Sequence, residues 1–230
     1  MSCSPRLAPS PSLINPASDL QTPLTSGEKF WWACRFKLSW NQKTEPDMGV
    51  DLLLAQAVMG PILESIEDRL LFWRFHRRAA PDDSGHQFSF LFYSDATALQ
   101  EINAEIQKNP TLHQALKKKI VERATCDNNT SGARRPEISA MSDASWSPAL
   151  QKHWPAFIMG VSRLWLGLIN EALSDLPPHE GNFDKKLEQI RKAEKTINMM
   201  WYKEGQHAFF HHLSAVFGYE PLLIKNVVRF

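Results

Sequence analysis

His207, His211 and His212 stand close together near one end of a 230-residue sequence, with Glu204 one turn upstream. Residues three and four apart on a helix lie on adjacent turns of one side, so Glu204, His207 and His211 can converge. Two imidazoles at i and i+4 beside a carboxylate are donors that Zn²⁺ or Fe²⁺ accepts. The stretch has no HExxH, and a di-iron bundle needs two ExxH motifs where this chain has one. A histidine hydrogen-bonded inside a polar cleft, with or without a proton-transfer task, is the alternative and the better fit.

A second group of residues could handle negative charge. In "RLLFWRFHRR" (69–78), Arg74, His76 and Arg78 share one face of an alternating strand with Leu70 and Phe72. A guanidinium beside an imidazole suits a carboxylate or a developing oxyanion. In "FWWACRFKLSW" (30–40), Trp31, Arg35 and Lys37 share a face, and in "HQFSFLFY" (86–93) Ser89 lies with Gln87, Leu91 and Tyr93. Such a row is either an ordinary solvated face or the rim of a pocket. On the second reading Arg74 and His76 carry the chemistry, and Trp31, Arg35, Lys37 and Ser89 hold substrate.

These side chains need a scaffold, and hydrophobic periodicity predicts one. Strands are expected over 30–40, 69–78 and 86–93, the last two joined as an antiparallel hairpin by "AAPDDSG". Helices are expected over 47–67, with Asp47 as N-cap and a kink at Gly60-Pro61, over 96–108 and 111–123, and from Ser147 to Leu173. A last helix from about Asp184 to Phe217 should end at Gly218. Its apolar stripe through Leu187, Ile190, Ile197 and Trp201 continues into Glu204, Ala208 and His211. His211 and His212 are about 100° apart on a helix, so one of them faces the cleft, and the stripe selects His211. Residues 124–144 read as a long loop with at most one short strand, and "LLIKNVVRF" as a docked final segment. The fold class is α+β: a small antiparallel sheet covered by helices, with long C-terminal helices.

Composition narrows the classes. Residues 1–28 are rich in Ser and Pro and read as a disordered arm, leaving 29–230 as one α+β domain. The arm lacks a secretory pattern, and no window approaches 18 uninterrupted apolar residues, so no membrane partner is expected. With 26 basic and 25 acidic residues there is no general pull toward nucleic acid. Cys3, Cys34 and Cys126 are odd in number and contain no CxxC, which predicts unpaired thiols, no cofactor and a reducing, cytoplasmic setting.

The aromatic strand "FWWACRFKLSW", the helix "DLLLAQAVMGPIL", the strand "LLFWRFHR", a strand opening on Gly85-His86 and the closing "HHLSAVFGYEP" together resemble the C-terminal elimination domain of lanthipeptide dehydratases and the related thiopeptide-type enzymes. The resemblance spans residues 30–221. It implies tailoring of a ribosomally made peptide, by elimination of glutamate from a glutamylated Ser or Thr or by a related step. Arg74 would match the arginine of the family's first polar strand, His86 its hairpin histidine, and His211 or His212 its terminal-helix histidine. His212-Leu213 matches the end motif more directly, in conflict with the stripe. The family's His-x-Arg-x-Arg is here His86-Gln87-Phe88-Ser89-Phe90, and its closing Asn-Arg is Ser214-Ala215. The expected function is therefore lyase-type or diverged chemistry on a peptide, with a peptide substrate or partner protein as ligand. The alternatives are a non-catalytic binding subunit and a metal-dependent enzyme using Glu204, His207 and His211.

Overall fold

The computed structural model describes residues 27–129, 142–177 and 181–221. The expected arm, the middle of the 124–144 loop and the final segment from 222 lie outside them. Four antiparallel strands, β1 (Phe30–Leu38), β2 (Phe72–Ala79), β3 (His86–Ser94) and β4 (Val121–Cys126), form a sheet in the order β2-β3-β1-β4. The fold is α+β. The hairpin β2–β3 turns through Gly85, whose φ of +61° suits a residue without Cβ. Asp82 holds that turn by accepting from the backbone N–H of Ser84 and Gly85 and from the Arg78 guanidinium. Arg78 and these two amides keep its carboxyl below the usual range.

Alternation gives the sheet two unlike faces. One presents Trp32, Cys34, Phe36, Leu38, Trp73, Phe75, Phe88, Phe90 and Phe92 to the helices. Phe75 lies 5.4 Å from Phe88 and 5.8 Å from Phe90, ring centre to ring centre, so the face is a continuous aromatic layer. Onto it pack α1 (Gly49–Leu54) and α2 (Gly60–Ile66), separated by a π-helical turn over Ala55–Met59, then α3 (Ala96–Lys108), α4 (Pro110–Lys117), α5 (Pro148–Ser174) and α6 (Phe183–Gly205). The π turn sits where a kink is expected. Pro61 has no N–H to donate back into the preceding turn, and Gly60 N–H reaches Ala55 O, five residues back.

Several local expectations change. Met48, not Asp47, occupies the N-cap position of α1 and makes no side-chain cap bond; the Asp47 carboxylate instead accepts from Arg191 at 2.6 and 3.0 Å, fastening α6 to the start of α1. Residues 121–126 are strand β4, where a helix end and loop were expected. Their pairing with β1 sets Cys34 opposite Cys126, and the two sulfurs are bonded. The expectation of unpaired thiols is therefore wrong, and a reducing compartment no longer follows from the cysteine pattern.

The two long C-terminal helices are packed differently. On α6, Leu187, Ile190, Ala193 and Ile197 are buried, and burial stops there apart from Gly205. Trp201 is 57% exposed. A second π-helical turn, Gln206–His211, and a short α7 (His212–Val216) extend the helix beyond what it packs against. The expected stop at Gly218 is present: its φ is +68°, and Tyr219 N–H returns to Ser214 O at 2.8 Å. The other helix, α5, begins at Ser147, whose side chain accepts from Leu150 N–H. It buries only Pro155, Ser162 and Ile169 fully. By length and composition it is long and apolar enough to cross a bilayer, as is the mostly buried segment Gly49–Arg69, which corrects the expectation that no segment qualifies.

Candidate functional site

The second face of the sheet gathers most of the polar residues singled out in the sequence. Register places them in cross-strand rows: Arg78, Gln87, Lys37 and Arg123; then His76, Ser89, Arg35 and Thr125; then Arg74, Leu91 and Ala33; then Phe72, Tyr93 and Trp31. Directly opposed residues have Cβ atoms about 5 Å apart, so His76 and Ser89 are neighbours and Arg35 follows one strand further on. The rows grade from cationic at one end to aromatic at the other. Trp31, Ala33 and Leu91 are buried there, with Phe72 and Tyr93 against them.

The cations of this plate are not equivalent. Arg35 donates to Asp127 Oδ1 at 3.4 Å, Lys37 Nζ to the Asp83 carbonyl at 2.9 Å, and Arg78 to Asp82. Arg74 has no hydrogen-bond or ion-pair partner among the described residues, and its Nε is buried without one. Burial lowers its pKa from the ordinary guanidinium value, although a guanidinium stays charged at any working pH. A buried donor without a partner is costly, and Arg74 meets that cost at the border between the cationic and aromatic rows. His76 lies two residues along the same strand face. Burial first, then Arg74 and Arg78, push its pKa down to about 4. Its imidazole is neutral at pH 7, with a free lone pair but weaker basicity than an ordinary histidine.

The core face holds a polar cluster that the sequence reading missed. Asp51, fully buried, lies with its carboxylate 3.1 and 3.2 Å from His86 Nε2 and accepts from Arg77 Nε at 3.1 Å. Arg77 also donates to Met48 O and stands 4.8 Å over the Trp165 ring. His86, assigned by resemblance to the reacting group, is thus turned away from Arg74 and His76 and locked to Asp51. Phe88 and Phe90, set by resemblance against two arginines, also face the core and are fully buried. Both rings belong to the aromatic layer and neither reaches the outer face. A small cleft of roughly 350 Å³ at the hairpin end is lined by Lys37, Trp40, Asp82, Gly85, His86 and Glu122, among others.

The terminal-helix histidines do not join the outer face. They lie on the extension of α6, which packs on α1 and α5 in the helical layer on the opposite side of the sheet. His207, His211 and His212 are exposed, with ring centres 5.1 to 5.4 Å apart. The π turn brings residues five apart into line, so His211 and His212 share a side with His207, where a regular helix would have split them. The stacked His207 and His211 rings do not converge on a common point. Among the described residues no three His, Cys, Asp or Glu side chains are arranged to hold a metal ion, and the Glu204, His207 and His211 alternative gains no support.

No protein-family model matches the chain, and no curated protein matches it. Among solved structures the fold is similar to the crystal structure of TsrL, with a TM-score of 0.32 and 16% identity over 70% of this chain. The chain spans 38% of that protein's length, and a likeness of this size says nothing about activity.

Proposed function

We propose that the outer face of the sheet binds a peptide or peptide-like ligand carrying a carboxylate next to apolar bulk, and that it serves lyase-type tailoring of that ligand. The observation that carries this reading is Arg74: half-buried, without a partner among the described residues, and set between the neutral His76 and the row of Trp31, Phe72 and Tyr93. A carboxylate or oxyanion would satisfy the guanidinium with a charge-assisted bond, and the half-buried Phe72 and Tyr93 would take the apolar part. In an elimination, His76 would accept the Cα proton. The Cα electrons would form the Cα=Cβ bond as the Cβ–O bond breaks, and the departing carboxylate would leave toward Arg74. The products are a dehydro residue and a free acid, and the proton passes from His76 to solvent. Ser89, opposite His76, and Arg35, one strand further on, would orient the peptide backbone.

The test uses fluorescent peptides that differ only in carrying a glutamate or a glutamine. Tighter binding of the glutamate form is expected, with Arg74→Gln weakening that form about tenfold, or about 1.4 kcal/mol, and leaving the glutamine form unchanged. Equal affinity for both forms, unaltered by Arg74→Gln, would sink the reading. Turnover is read by mass spectrometry on an O-acylated serine peptide, where His76→Gln should abolish loss of the acid while binding persists.

One observation favours binding without turnover. His86 and the terminal histidines lie away from this face, so His76 is the one imidazole that the described residues place there. On that second reading the same peptides bind, Arg74→Gln still weakens them, and no ligand changes mass.

A further inference from the structure

Helix α5 uses one side only. Ser162 Oγ accepts from Phe75 N–H of β2 at 3.1 Å and donates to Ile158 O, and Pro155, Ser162 and Ile169 are buried on that side. The opposite side carries Leu150, Phe157, Val161 and Leu164, each 42 to 48% exposed. A Cβ placed on Gly160 or Gly167 would meet nothing within 4 Å. At about 100° per residue, the outward strip runs through Leu150, Phe157, Gly160, Val161, Leu164 and Gly167, with His153 and Glu171 near its ends. Its ionisable residues are His153 at one end and Glu171 at the other. The remaining charges of the helix lie on its flanks, where Arg163 is already bonded to Glu67 at 2.5 to 2.9 Å.

We propose that this strip is a self-association surface, on which α5 of a second copy of the chain packs antiparallel across a two-fold axis near Val161 and Ser162. Reversal about that point sets each Phe157 over the partner copy's Gly167 and each Leu164 over its Gly160. Large side chains then meet open glycine positions, which is the complementarity a self-matching interface requires. The same reversal brings His153 beside Glu171 at both ends. A parallel pairing would set glutamate against glutamate. A bilayer is the poorer occupant: Arg163 is tied to Glu67, and Ser162 to the edge of β2, so the helix cannot leave the body of the protein to span it. The 27-residue helix is about 40 Å long.

Sedimentation equilibrium of the full chain tests this. The expected mass is twice 26.3 kDa, with Phe157→Glu and Leu164→Glu each giving monomer at the same concentration and an unchanged circular dichroism spectrum. His153→Glu should weaken the dimer and Glu171→Lys added to it should restore the dimer, an outcome that parallel pairing does not give. Val161→Cys in a Cys3→Ser background should form a disulfide-linked dimer on mild oxidation. A mass of one chain up to about 100 µM, well above the micromolar affinity of an ordinary specific contact, would overturn the proposal. So would a dimer that both glutamate variants leave intact, or a monomer that floats with phosphatidylcholine vesicles.

Discussion

The two faces of the sheet solve the same problem in opposite ways. Each carries charged groups out of water, yet on the core face Asp51, His86 and Arg77 satisfy one another, and on the outer face Arg74 is left unsatisfied. A closed set of charges is what a fold needs to hold α1, β2 and β3 in register. An open one is what a ligand site needs, because the missing bond is available to something else. The difference separates paired from unpaired charge without reference to residue type, since both faces contain arginine and histidine.

The sharpest way to break that contrast is to open the closed set. Asp51→Ala should cost about 3–5 kcal/mol, read by urea unfolding, because it strands a buried imidazole and a guanidinium together. A cost below about 1 kcal/mol would mean that the cluster is no lock. Next comes the bond between β1 and β4. Cys126→Ser, which opens a link across 92 residues, should lower stability by about 2–4 kcal/mol, and an unchanged urea midpoint in reductant would contradict the pairing.

The outer face should reveal itself through pH. Folded His76 takes its proton near pH 4, and the unfolded chain takes it near 6.5, so the unfolded state holds more protons between those values. Its contribution is therefore complete above pH 6.5 and is lost as pH falls toward 4, by at most about 3 kcal/mol. His76→Gln should flatten the slope of stability over that interval. If wild type and variant titrate in parallel, His76 is not desolvated. A smaller effect is expected for Arg74→Leu, which should leave stability unchanged or raise it by up to about 1 kcal/mol, because no bond is lost with the guanidinium. Replacing His207, His211 and His212 with alanine should be the mildest change of all, with the thermal midpoint unmoved, since all three rings are exposed.

Alternation in 30–40, 69–78 and 86–93 carried the three strands and the hairpin of the last two, because each sets large aromatics on one face; the place of β1 beside β3 was not legible. The same alternation held a warning about His86, which shares its period with Phe88 and Phe90 and so had to face the core with them. Asp51 in the run Asp51-Leu52-Leu53-Leu54 was a second legible signal, since a carboxylate among leucines must find a partner. Which partner it finds was not legible, for His86 lies 35 residues away. β4 escaped detection because Glu122, Arg123 and Thr125 leave little apolar alternation, and without β4 nothing set Cys126 against Cys34. The stripe on the last helix failed for another reason. Periodicity past Trp201 continues in the sequence, but the surface it would pack against ends near Ile197, and no pattern within one helix reports where its neighbour stops.

The small bond from Phe75 N–H to Ser162 Oγ has a consequence for the chain's solubility. β2 and β4 are the two borders of the sheet, and an open border offers a row of N–H and C=O groups on which a further strand can be templated. At β2 the hydroxyl occupies such a donor and holds α5 across the row. β4 is guarded differently, by the exposed Glu122, Arg123 and Thr125 that make stacking of like strands repulsive and wet. A change at Ser162 would thus show itself less in the midpoint of unfolding than in slow growth of thioflavin-positive fibres, with the phenylalanine-rich hairpin behind β2 as their seed.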